Sequence, residues 1–574
     1  MTRYSLSDLI RLAAAAVTIV ALQGQALAVP LAPSKAWDAY TRDFIEATFK
    51  ARPQFAVWAG RHEFDGQLPD FSPAGIKNEI KRLHEARERV LGFKESTLSE
   101  KQRFERDYVL AAIDSSLFWL ETAEWPFRSP TYYSGGLDPQ VYITREYAPL
   151  AQRMQAYIAY AKGIPRAVEQ IRSNLRTPLP RSYVRVGHIG AGGLAQLYQN
   201  NVPLIFTSVE DLGLQAEFRA ANEGAIKAMK DLDAWFTQQE ATATEDFALG
   251  PDKFAAMLRA TERIDVPLPR LKEIAERDFQ RNLEAIREAC SAFAPGQTIE
   301  GCVAKAHADK SPGTPTEAAA KQLGELRAFI VAKKLVSIPG QEQARVAESL
   351  PYERWNAAYI RIPGPLEKNL PSTYYISPPD PRWSMAEQEA YVPGKYDLLF
   401  ISAHEVWPGH FLQHQHSNRS ASTVARLFGS YAFGEGWAHY AEELVWEAGL
   451  GAGAPAVHVG QLKEALMRNV RLLSAIGLHT EGMSVSASEA MFREKAFQDP
   501  GNARQQADRG TFDPGYGAYT LGKLMIRKLR GDWTATRGGR EAWQDFHDEF
   551  LSYGSPPVPM VRKAMLGGKA GSPL

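Results

Sequence analysis

The chain has 574 residues, with 66 Lys plus Arg against 66 Asp plus Glu and only two cysteines. A balanced charge without blocks of one sign offers no footing for a nucleic-acid or anionic-membrane partner, and two cysteines are too few for a cysteine-rich zinc module. The length exceeds the ~250–300 residues at which a single core stops growing, so two lobes or a large helical shell around a cleft are expected.

Arg3 and Arg11 precede an apolar run from Leu12 to Leu22, followed by Ala26, Leu27 and Ala28. A charged start, a short apolar core and small residues at its end make residues 1–28 a secretory signal peptide cleaved near Ala28. The run falls short of the roughly 20 residues that cross a bilayer. No later stretch is apolar for long enough, so the expected product is exported, periplasmic or secreted, without stable membrane insertion. Residues 29–574 then read as one mainly α domain, with 29–350 and 351–574 as its lobes if it divides.

From Ser34 to about Leu350 most segments repeat apolar residues at helical spacing, as Val109, Ile113, Leu117 and Leu120 do. Cys290 and Cys302 frame the loop-like stretch SAFAPGQTIEG, which favours one local disulfide in an oxidising compartment. Between Tyr359 and Pro379 the composition turns β-branched and aromatic with flanking prolines, which reads as short strands, a small hairpin or ribbon. Its edge is either a plain structural ribbon or a place where an extended peptide adds as another strand.

The next helical run delivers HEVWPGH at 404–410. A metallopeptidase helix carries His-Glu-x-x-His, because residues four apart share a face. His404 and His410 lie about 240° apart on a regular helix, so an undistorted helix cannot bring them together. Pro408 and Gly409 supply the means of distortion: one lacks an N–H, the other tolerates unusual backbone angles. A third protein ligand is normal for zinc, and GEGWAHYAEEL follows with Glu435, His439 and Glu442 at helical spacings. Glycines flank Glu435 and permit a close helix approach. His410 with His414 is a competing metal pair, with His416 and His439 nearby, and a purely structural role in a helical core is the remaining alternative.

HEVWPGHFLQ followed by GEGWAHYAEEL resembles the bacterial family called domain of unknown function 885. That family is similar to gluzincin metallopeptidases of the carboxypeptidase Taq, thimet oligopeptidase and angiotensin-converting enzyme groups. The resemblance implies that His404, His410 and Glu435 ligate Zn2+, that Glu405 is the catalytic base, and that Glu442 orients a ligand histidine. FDPGYGAYTLGKLMIRKLR resembles the tyrosine-bearing segment of these groups, aligning Tyr519 best, with Tyr516 a turn earlier; either phenol is a donor to an oxyanion or a core aromatic. His479 matches a family histidine that contacts oxyanion or substrate, against a structural role at a helix end. Arg471 lies two turns before it and offers a guanidinium to a peptide carboxylate.

The expected activity is hydrolysis of short peptides by metal-activated water, of the oligopeptidase or carboxypeptidase type. The alternatives are a binding protein for peptide or metal that has lost turnover, and a zinc hydrolase of a non-peptide amide or ester.

Overall fold

Helical periodicity builds most of the molecule. In the computed structural model, which describes residues 34–349, 353–354, 356–381 and 383–574, the helix Glu100–Leu117 opens with a capping box between Ser99 and Gln102. It buries Val109, Ile113 and Leu117, and the π-turn after it buries Leu120. The signal-peptide reading of residues 1–28 lies outside the described residues. No helix among those described is long and apolar enough to cross a membrane.

Helices α1 (Leu150–Asn174), α2 (Arg181–Gln196) and α3 (Leu212–Gln239) form a bundle in which α3 packs on both others. Helix α4 (Leu268–Phe293) ends beside a disulfide joining Cys290 to Cys302. Three strands follow: β1 (Ala344–Glu348), β2 (Ala358–Arg361) and β3 (Ser372–Ile376), in the order β1-β3-β2. β2 and β3 pair antiparallel, as a hairpin does, and β1 pairs parallel to β3. β1 falls inside the stretch read as helical. Its residues are exposed or half-buried without strict alternation, so the local pattern carries no strand signal.

The C-terminal half comprises α5 (Lys395–Glu405), α6 (His410–Ser417), α7 (Tyr431–Glu447), α8 (Pro455–Thr480), α9 (Pro500–Phe512) and α10 (Ala518–Thr534). α8 is buried around almost its whole circumference, as a helix at the centre of a large domain must be. It packs against α4, α5, α9 and α10.

Two hydrophobic clusters hold the chain together. One runs from Trp37 to Phe236 and takes in Val424, Ala425 and Leu427. The other reaches from Phe118 to Met565 and joins Leu335 and Val336 to Tyr374 and Ile376. Behind α7, Asp278 of α4 and Glu443 share the fully buried Lys523 of α10, tying three helices together by charge.

Candidate metal centre

α5 carries His404 and Glu405 on its last turn and then breaks. Val406 leaves helical geometry, the Trp407–Pro408 peptide is cis, and Gly409 N–H turns back to donate to the Ala403 carbonyl at 2.9 Å. A Cβ on Gly409 would sit 1.7 Å from the His404 carbonyl oxygen, so only glycine lets the chain pass this close to itself. Trp437 Nε1 on α7 donates to the Pro408 carbonyl at 2.8 Å and fastens the break to that helix. α6 then starts at His410, whose ring stands 4.9 Å from that of His404 at 89°.

α7 supplies the third group. Ser430 caps its N-terminus, and the buried Glu262 accepts from Ala432 N–H at 3.2 Å. Glu435 follows one turn in. At the next residue the helix touches α10 backbone to backbone: a Cβ on Gly436 would meet Gly522 Cα at 2.4 Å.

Glu435 Oε2 lies 3.4 Å from His404 Nε2 and 3.3 Å from His410 Nε2, and one ligand atom from each residue falls within 4.8 Å of the others. The oxygen is buried yet has hydrogen-bond geometry to neither ring. Two imidazole nitrogens and a converging carboxylate oxygen without a hydrogen-bond partner fit a zinc-type divalent cation. Burial would raise the Glu435 pKa, but the two histidines hold it well below the carboxylate range. Burial would lower that of His404, but the adjacent carboxylates of Glu435 and Glu442 outweigh this and raise it to about 9.

A wholly buried carboxylate backs the group. Glu442 takes His404 Nδ1 at 2.7 Å, Arg468 of α8 at 3.0 Å and His439 Nδ1 at 3.2 Å. An ionised carboxylate only accepts, so His404 holds a proton on Nδ1, which leaves Nε2 as the nitrogen that a cation would take in place of a proton. Glu405 faces a cavity of about 2830 Å3 that His404, His410, Glu435 and Tyr519 also line. Its Oε2 accepts from Ile360 N–H of β2 at 3.1 Å, and burial pushes its pKa up against the opposing histidines. The Tyr519 ring stacks on His404 at 6.2 Å; burial, then the charge of Glu435, raises its pKa and keeps the phenol protonated.

Two expected site residues lie elsewhere. His479 is enclosed, with Nδ1 accepting from Leu249 N–H at 3.3 Å and Nε2 donating to the Gly510 carbonyl at 2.8 Å. It sits two turns beyond Arg471, about 12 Å along α8 and away from the cavity wall. Tyr516 belongs to the turn before α10 rather than to its first turn, and is buried in the core with its hydroxyl against Gly510. Arg471 does line the cavity. Among the competing histidines, His414 lines the cavity outside the converging group, His416 bonds the Ser337 carbonyl and His439 bonds Glu442. Arg468, Arg509 and the Ile360 N–H escaped the sequence reading. An arginine carries no local signal of the partner it meets in the folded chain, and a backbone N–H carries none at all.

Fold and site together define a large, mainly helical protein with a histidine–glutamate cluster that could hold a metal ion, facing a large cavity. The chain belongs to the family described as bacterial protein of unknown function (DUF885), which matches residues 53–565. Two solved structures share the fold. One is a candidate lipoprotein of unknown function from Shewanella oneidensis, 22% identical with a TM-score of 0.77, covering 93% of this chain and 100% of its own. The other is a candidate lipoprotein from Colwellia psychrerythraea, 16% identical with a TM-score of 0.77, covering 92% and 97%. A search of curated proteins gives no match.

Proposed function

We propose that the chain is an exported, zinc-dependent, gluzincin-like hydrolase of amide bonds in short peptides. The observation that carries this reading is Glu405. A half-buried carboxylate stands next in sequence to a ligand histidine, opens to the same cavity and is held by Ile360 N–H. Zinc bound by His404, His410 and Glu435 would polarise a carbonyl and lower the pKa of a water to about 7.

Glu405 takes the proton from the attacking water and returns it to the leaving amine, a task suited to a carboxylate whose pKa is raised by burial. Its bond to Ile360 uses Oε2 and leaves Oε1 for that transfer. The Tyr519 phenol donates to the oxyanion that develops as the carbonyl becomes tetrahedral. β2 is an edge strand in the cavity wall, suited to pairing with an extended peptide. Export rests on the signal-like start, and the disulfide accords with an oxidising compartment.

A second reading keeps cation and cavity but drops turnover. It needs only the three ligands, and it gains from the Ile360 bond, which engages the would-be base. A third, hydrolysis of a non-peptide amide or ester, uses the same groups on another acyl donor.

Metal analysis and peptide cleavage followed by mass spectrometry decide among them. One zinc per chain is expected in the wild type, lost in His410→Ala and kept in His414→Ala and Glu405→Gln. Cleavage is expected to fall about 10²–10⁴-fold in Glu405→Gln. Zinc without cleavage of any peptide supports the binding reading, and unchanged turnover in Glu405→Gln removes it as the base.

A further inference from the structure

The cavity wall beside the metal cluster holds three arginines, and two of them are matched. Arg468 pairs with Glu442 and Glu464, and Arg509 with Asp513. Arg471 is not. It is only 6% exposed, its Nε donates to the neutral Gln506 at 2.9 Å, and no carboxylate among the described residues pairs with it. The charged groups that bear on it most are Arg509 and Arg468, both positive. A buried cation without a counter-charge is costly to keep, and this one faces the cavity.

Its position relative to the cluster is set by one ring. The Arg471 guanidinium lies 4.7 Å from the centroid of Tyr519, which in turn stacks on His404 at 6.2 Å. The two spans together cover no more than roughly three extended residues at about 3.3–3.6 Å each. A guanidinium presents a planar fork that matches a carboxylate with two parallel bonds.

We propose that Arg471 is the anion subsite of this cavity and receives the free C-terminal carboxylate of a peptide, so that the chain removes one to three residues from that end. The inference rests on the peptidase reading for its second half only. The subsite itself rests on the unmatched charge.

Binding and cleavage are therefore measured separately. Zinc-loaded Glu405→Gln protein is titrated with trialanine, its C-terminal amide, and Ala-Ala-Glu amide, in the presence and absence of Arg471→Gln. Trialanine is expected to bind about 10- to 100-fold more tightly than its amide, with the preference abolished by Arg471→Gln while amide binding and zinc content stay unchanged. Equal binding of acid and amide overturns the proposal. Tight binding of Ala-Ala-Glu amide overturns the C-terminal assignment in favour of an acidic side chain. Wild-type protein that prefers the acid but cleaves nothing keeps the subsite and sinks the peptidase reading. If Arg471→Gln does not fold, Arg471→Lys, which keeps the charge but loses the fork, is expected to retain part of the preference; full retention counts against paired recognition.

Discussion

Replacing Glu442 with glutamine removes one charge from behind the candidate metal site and leaves its shape. The carboxylate has no solvent exposure and meets His404 at 2.7 Å, Arg468 at 3.0 Å and His439 at 3.2 Å. A glutamine Oε1 can still accept from His404 Nδ1, and its amide can face His439 if that ring changes tautomer. What disappears is the negative charge that makes the His404 ring a stronger donor to a cation. Changes of this kind cost about 10- to 100-fold in metal affinity, roughly 1.4–2.8 kcal/mol. Arg468 keeps Glu464 at 2.6 Å, so the fold should lose less than the ~3–5 kcal/mol of a fully orphaned buried charge. Burial would raise the Glu442 pKa, but Arg468 and the histidines hold it well below the carboxylate range. A depressed carboxylate stabilises the fold above its unfolded pKa and loses this only as pH falls through the folded value, so the wild type keeps this contribution at neutral pH. Zinc competition against a chelator and thermal unfolding of the zinc-free protein measure the two effects. Zinc affinity within twofold of wild type, in a folded variant, would refute a role for Glu442 through His404.

Gly409→Ala places a methyl against the His404 carbonyl and should cost at least about 1–3 kcal/mol, with zinc binding lost because His410 is displaced; a folded variant with full zinc content would contradict the close approach. His62 tests pH dependence away from the site. Burial would lower its pKa, but Asp65 at 3.0 Å and Glu367 at 3.2 Å raise it to about 9. A raised histidine contributes stability fully below its unfolded value of about 6.5 and loses it as pH rises through the folded one. The unfolding temperature should therefore fall across that window in the wild type and less steeply in His62→Gln; identical slopes would show that the clasp does not titrate there.

The sequence made the ingredients of the site legible but not its assembly. Pro408 and Gly409 announced a broken helix, and the glycines beside Glu435 announced a close neighbour, because both signals are local. His479 and Tyr516 went astray for one reason. Position along a helix, or a turn that delays its start, decides whether a side chain reaches a cavity, and Pro514-Gly515 holds back α10 until Ala518. β1 was missed because its five residues lack an apolar alternation and gain their partner from β3, some 28 residues on. The charges of Arg468 and Arg471 were visible in the sequence; that one is matched and the other unmatched is a property of the folded chain alone.

The contact between α7 and α10 bears on how this cavity can change. Gly436 and Gly522 meet with no side chain between them, and a Cβ on Gly522 would stand 1.9 Å from the Ala432 carbonyl oxygen. Glu435 is the residue before one glycine, and Tyr519 lies three before the other. Their separation is thus gauged by main chain against main chain, a dimension that substitutions elsewhere in the lining do not touch. Residues farther round the wall, such as Trp58, Trp119 and Trp383, can be exchanged to admit other ligands while the carboxylate and the phenol keep their spacing. Diversification of such a protein would then proceed by refitting the far wall, with the two helices as its fixed datum.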